Sequence, residues 1–274
     1  MAKYIAHASI DERGKISGGS AGDQTGKEVC IRTWYSKPWN YLLKIKDAKV
    51  RKQFGNNMIA LAKNNKVGYD QSQRNTLLTQ AEKVKFDFSK ISTMCECDCS
   101  SAITICLLGA IYLIHGKSAY EKAKSVLVNS GNCATTSTLR SALTKLDMIV
   151  AHNGKDYIGG TSKADFGDIF IKEGSHVVCY VNDGKSVKVN PIAVKVESAE
   201  SKSSKYNKTY TTTANLNLRS GAGTSKDILV TMPKGTKVKC AGKYTKVKDT
   251  VWLLVETIVS GTKYTGFCSK DYLS

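Results

Sequence analysis

Nine cysteines and four histidines are the side chains of this 274-residue chain best suited to nucleophilic and proton-transfer chemistry, and their placement sets one pair apart. Cys99 follows Asp98 and precedes Ser100 and Ser101 and an apolar run reaching Ile114, which puts it at the mouth of a buried helix. A helix N-terminus offers unpaired N–H groups and a partial positive charge. A thiol there is biased toward the nucleophilic thiolate, and the same N–H groups can hold an oxyanion. Cys106 lies turns inside that helix and is expected to be inert core, while Cys97, just before it, is the second choice of nucleophile. The thiol needs a base within hydrogen-bond reach. His176 opens the alternating run HVVCYV shortly after Gly167-Asp168-Ile169-Phe170. His115 ends the apolar helix, His152 sits in a glycine-flanked turn and His7 lies in a polar N-terminal stretch, so these three are expected to be surface or capping residues. The odd cysteine count has no disulfide-framework spacing, so most thiols are expected to be reduced and buried as small hydrophobes. The C-x-C-x-C run at Cys95, Cys97 and Cys99 is tighter than a zinc knuckle and lacks a histidine pair, so no metal is expected there.

The elements that must position this pair are legible as periodicities. Asp47 to Ala62 and Gln71 to Lys85 carry apolar residues at helical spacing, and Ser100 to His115 is apolar nearly all round, as a central helix is. From Asp168 the period changes to two, through IFI, HVVCYV and SVKVNPIAVKV, with Asn182-Asp183-Gly184 as a turn. A helix followed by an antiparallel sheet makes the class α+β.

DCSS at a helix head, followed by GDIFI and SHVVCYV, resembles the NlpC/P60 cysteine peptidases. The resemblance implies a papain-like fold with the cysteine helix packed on the histidine sheet, Cys99 as nucleophile, His176 as base, and no metal or cofactor. Two features depart from the family pattern: Ser101 stands where glycine is usual, and no tyrosine lies about a dozen residues before the cysteine. A third residue should orient the imidazole from the neighbouring strand, and hairpin register decides which one. A three-residue Asn182-Asp183-Gly184 loop, with Gly184 left-handed, pairs Val181 with Lys185 and sets Asn190 opposite His176; a two-residue Asp183-Gly184 loop sets Pro191 there instead. The opening HASIDERGKISGGSAGDQTGKEVCIRTWYSKPW resembles phage-encoded peptidoglycan amidohydrolases of the Amidase_5 type, through GDQTGKEV and the WY pair. Asp23, Gln24, Trp34 and Tyr35 are accordingly expected to line the substrate cleft, and Asp98 and Ser100, beside the nucleophile, to grip the substrate's charged ends, Asp98 alternatively serving only as a helix cap.

Glu197 to Lys208, ESAESKSSKYNK, lacks large aliphatics and reads as a linker. Beyond it, short strands separated by turns imply a small β-barrel. LNLRSGAGTSKDIL, PKGTKV, WLLVE and GFCSKDYL resemble the bacterial SH3 family, which implies attachment to the cell wall. The expected organisation is therefore a catalytic domain at 1–196, a linker at 197–208 and an SH3-like domain at 209–274.

A hydrophobic content of 41% with 23% charged residues is that of a globular chain. The net charge of +18, spread as lysines, asks for a polyanionic partner or serves only solubility. Arginine, the residue of bidentate base reading, is scarce, so nucleic acid is not the expected partner. No apolar run suits stable membrane insertion, and the N-terminus has no secretory h-region, so synthesis in a host cytoplasm and action on the wall after release are expected. The resulting expectation is a hydrolase cutting an amide bond of Gram-positive peptidoglycan stem peptides by a Cys/His mechanism, the bond being either a peptide bond after D-glutamate or the muramoyl-alanine amide. The alternative is a wall-binding or adhesion protein with a catalytically dead cysteine fold. Association between chains is not specified by the sequence.

Overall fold

The computed structural model describes residues 2–188, 196–226, 228–259 and 262–274, and the chain divides into two units, Met1–Pro191 and Ile192–Ser274. The first unit runs β1 (Tyr4–Ala8), β2 (Val29–Thr33), β3 (Tyr41–Ile45), α1 (Ala48–Leu61), β4 (Val67–Tyr69), α2 (Thr76–Lys83), β5 (Cys95–Cys97), α3 (Cys99–Leu127), β6 (Val128–Asn129), β7 (Asn132–Cys133), α4 (Leu139–Lys145), β8 (Ile149–His152), α5 (Lys155–Ile158), β9 (Ile169–Lys172) and β10 (His176–Tyr180). Asp47 caps α1 by accepting from the Lys49 and Val50 N–H groups, which satisfies donors the first turn leaves unpaired. α3 is apolar enough to cross a membrane by length and composition, yet it is a core helix. Every residue from Cys99 to Ile111 is buried, and it packs against α1, β10 and β1 before breaking at Gly116, whose φ of 79° is left-handed. Full burial of Ile103, Ile105, Leu107 and Leu108 stabilises the unit by about 1.5–3 kcal/mol each relative to exposure.

An antiparallel sheet in the order β2-β1-β10-β9-β3-β8 receives that helix. The register Ile5↔Tyr180 and Val178↔Phe170 puts Ile5, Tyr180, Val178, Phe170 and Leu42 on one face, where they join Trp39 in a single cluster. Because side chains alternate along a strand, His7 shares that face with Ile5, and His176 shares it with Val178. The sheet alternation thus delivers two imidazoles to one place.

Three expectations change here. The strand expected beyond the Asn182-Asp183-Gly184 turn is not the neighbour of β10. The turn forms, with Gly184 at φ 75° and its N–H on the Val181 carbonyl, but Tyr4 of β1 takes the backbone of Val181 and Asn182 through bonds of 3.0 and 2.8 Å. β1 therefore occupies the place next to β10, Lys185 to Lys188 form no strand, and Asn190 lies outside the described residues. The N-terminal stretch accordingly supplies two strands of the sheet, β1 and β2. The expected linker at 197–208 is largely strand: β11 (Ser201–Thr211) belongs to the second unit and pairs with β14 (Lys237–Val247). Its polar, lysine-rich composition is that of an edge strand with solvated side chains, which composition alone does not distinguish from a linker.

The second unit adds β12 (Leu216–Arg219), β13 (Ile228–Met232), β15 (Thr250–Val259) and β16 (Thr262–Ser269) in the sheet order β11-β14-β15-β16-β12-β13. Tyr210, Leu218, Met232, Val238, Cys240, Leu253, Val255 and Cys268 form its core, each from an alternating position.

Candidate active site

β5 carries the cysteine run. Cys95 and Cys97 alternate along a buried strand that pairs in parallel with β4, and the Cys97 thiol lies 3.5 Å from the Gly68 carbonyl. Burial pushes Cys97 well above an ordinary thiol, so this alternative nucleophile is inert core. Cys99, one step on, is the first residue of α3. Its cap is reciprocal: Asp98 accepts from the Ser101 N–H at 2.7 Å, and the Ser101 hydroxyl accepts from the Asp98 N–H at 2.8 Å. Serine at position 101 therefore has a local reason, because it closes a capping box that glycine could not.

α3 packs on β10, the strand that His176 opens, and the N–H groups of Val177 and Ser100 act on the Cys99 thiol. Cys99 and His176 are each almost wholly buried, at the heads of these two packed elements. Burial, with the charge of Asp98, pushes the Cys99 thiol up to about 12, while those two N–H groups and Arg74 oppose the rise. Desolvation outweighs the helix N-terminus, so the resting group is a thiol rather than the thiolate expected from position alone.

His176 faces a second imidazole. His7 Nδ1 lies 3.3 Å from His176 Nε2, and His7 Nε2 lies 3.6 Å from the Cys30 sulfur on β2. Burial lowers His176 to about 4 with help from Lys37 and Arg32, and lowers His7 to about 3 with help from His176. Both rings are neutral near pH 7. Trp39 stacks on His176 at 6.3 Å, and Tyr35 meets His7 edge-on at 6.3 Å. Tyr69 of β4, paired with Cys97, is buried, and burial pushes its phenol up to about 12.

The other expected site residues divide. Tyr35 borders the imidazole pair, whereas Trp34 packs on Phe170 at 5.9 Å as part of the cluster beneath. Asp23 is buried and accepts from five backbone N–H groups, those of Thr25, Gly26, Lys27, Glu28 and Val29, so it shapes its loop from within. Gln24 is exposed and its amide closes on the Ala21 and Gly22 carbonyls. Asp98 and Ser100 are turned inward onto Arg74, which also donates to the Cys133 and Ala134 carbonyls, so their polar atoms anchor an arginine and a cap rather than grip substrate. His7, Trp39 and Arg74 are the residues sequence reasoning missed. His115 pairs with Asp47 and His152 stacks on Tyr157, as capping and surface histidines do.

A family model of the endolysin-like domain matches residues 5–187. The chain belongs to the endolysin-like domain family. A model of the bacterial SH3 domain matches residues 214–274, within the second unit. An endolysin-like domain followed by a bacterial SH3 domain is the arrangement of a cell-wall hydrolase targeted to the wall. No curated protein and no solved structure matches the chain.

Within the endolysin-like domain, Arg74 is the connection that holds the turn at the head of α3. Arg74→Ala strands the buried Asp98 carboxylate and is expected to destabilise the fold by about 3–5 kcal/mol. Thermal unfolding measured beside Arg74→Lys checks this: lysine keeps the charge but not the fork that reaches Asp98, Ser100 and two carbonyls, and should recover only part of the loss.

Proposed function

We propose that the chain is a peptidoglycan amidohydrolase of NlpC/P60 type, a papain-like cysteine hydrolase that cuts an amide bond of the wall's stem peptide. The observation that carries the reading is a buried thiol at the head of α3, a helix packed on the strand that His176 opens, with His7 on Nε2 of that imidazole. With His7 Nδ1 accepting from the His176 Nε2–H, His176 presents Nδ1 as an unprotonated base. His7 then carries its own proton on Nε2, toward the Cys30 sulfur.

The reaction follows from these protonation states. As the Cys99 sulfur attacks the amide carbonyl, its proton passes to His176 Nδ1, and the first-turn N–H groups of α3 hold the developing oxyanion. The imidazolium returns that proton to the leaving amine, leaving a thioester. Water, deprotonated by His176, then hydrolyses the thioester and regenerates the thiol. The thiol–imidazole contact is completed with substrate in place. The SH3 domain and the lysine surface hold the enzyme on a Gram-positive wall, whose anionic polymers match a net charge of +18. The enzyme is made in a host cytoplasm and acts on the wall after release, in the manner of phage lytic enzymes.

Mass spectrometry of purified walls digested by the full chain is the test. One new amino terminus per cut, at either the peptide bond after D-glutamate or the muramoyl-alanine amide, is expected. Wall retention without new termini would leave a binding protein and end the enzymatic reading.

A further inference from the structure

Four arginines of the endolysin-like domain, Arg13, Arg51, Arg74 and Arg140, each pair with a carboxylate. Arg32 has no such partner among the described residues. It lies two positions beyond Cys30 on β2, on the strand face that meets His7, and its guanidinium stands 5.1 Å from the centre of the Tyr35 ring. Lys37 lies in the segment between Tyr35 and Trp39. The Trp39 N–H bonds to the Lys37 carbonyl at 2.6 Å, and Trp39 stacks on His176. Lys37 likewise makes no ion pair among the described residues. Arg32 is exposed and Lys37 half-buried, so both charges are open to an incoming ligand.

We propose that Arg32 and Lys37 form a subsite for a free carboxylate of the substrate, held on the Tyr35 side of the imidazole pair. This rests on the reading that the site cleaves a stem-peptide amide, and it names the chemistry of the part of the substrate beside that bond. The charges around His176 give the subsite a second consequence. The groups that act on its proton are Arg32 and Lys37, which oppose its charging, and Asp98, which favours it but is already engaged by Arg74; His7 is neutral. The imidazolium formed during attack therefore arises in a field dominated by two cations. A bound carboxylate offsets them, so it should assist the chemical step as well as binding.

Two soluble muramoyl tetrapeptides, which hold both candidate amides, test this, one with its peptide carboxylates free and one with them amidated, each given to the full chain and to the Arg32→Gln/Lys37→Met double variant. Wild type is expected to prefer the free acid by about tenfold or more in kcat/KM, with part of the difference in kcat. The double variant should cut the two peptides within about threefold of each other, and its acid limb of kcat/KM should move up toward the ordinary imidazole value of 6.5. Equal cleavage by wild type, or a preference that survives the double substitution at unchanged thermal stability, overturns the subsite while leaving the amidohydrolase reading intact. Cleavage of neither peptide, with no new termini from walls, removes that reading and the subsite together.

Discussion

Cys99→Ala is expected to abolish wall lysis, by at least about a thousandfold, with the midpoint of thermal unfolding nearly unchanged. The size of the loss follows from the absence of a substitute: Cys97 and Cys106 are sealed in the core with thiols pushed far up by burial, and Cys30, half-buried, contacts His7 on the side away from His176. Removing a nucleophile from a working set typically forfeits most of the rate that the whole set supplies. The small stability effect follows from the change itself, because Cys99 uses its backbone, not its sulfur, to start α3, and the cap lies in Asp98 and Ser101. Turbidity loss of purified walls and calorimetry of the same samples check both halves. Cys97→Ala is the control, expected to leave lysis within about twofold. Lysis that survives Cys99→Ala would require a different nucleophile.

Much of this site could be read from sequence because its signals are local. Aspartate, cysteine and two serines before an all-apolar run specify a capped buried helix whatever the rest of the chain does, and HVVCYV specifies a buried strand. The barrel strands were legible for the same reason. The long-range pairing was not. A hairpin turn follows Tyr180, so local rules send the next segment back along β10, yet the N-terminal strand, far away in sequence, takes that edge through Tyr4. Nothing in YIAHA, five residues long and bounded by polar segments, announces which strand it will join. His7 was consequently set aside as a surface residue and the orienting position was assigned to the hairpin. The cap role of Asp98 was among the sequence alternatives, but the Arg74 that holds Asp98 and Ser100 was not foreseen: it precedes α2, and no spacing rule links that loop to the head of α3. Charge balance offered one clue, since a buried aspartate at a helix head calls for a cation nearby.

The imidazole pair carries the second large effect. His176→Ala is expected to match Cys99→Ala in its loss of lysis, since it removes the base proposed to take the thiol proton. His7→Ala should cost less, about ten- to a hundredfold, the loss expected when the proton on His176 Nε2 has no buried acceptor. His7→Asn decides between orientation and mere packing: the asparagine δ-oxygen can stand where Nδ1 stands, so most of the rate should return, whereas His7→Val should stay near the alanine level. Acidity adds a readout that packing would not move. His176 must be neutral to take the thiol proton, and its value of about 4 keeps it so through the mildly acid range, so kcat/KM should hold down to about pH 5 and fall below. Stability follows the opposite side of the same linkage. Both imidazoles titrate near 6.5 when unfolded and at about 4 and about 3 when folded, so the unfolded chain binds more protons between those values. Their contribution is therefore complete above about 6.5 and is lost as pH falls through the window toward 3. His7→Asn removes one of the two titrations and should make that acid loss shallower. A steep acid loss unchanged in His7→Asn, or lysis that fails below pH 6.5 in the wild type, would place the two rings in contact with water and undo the buried relay.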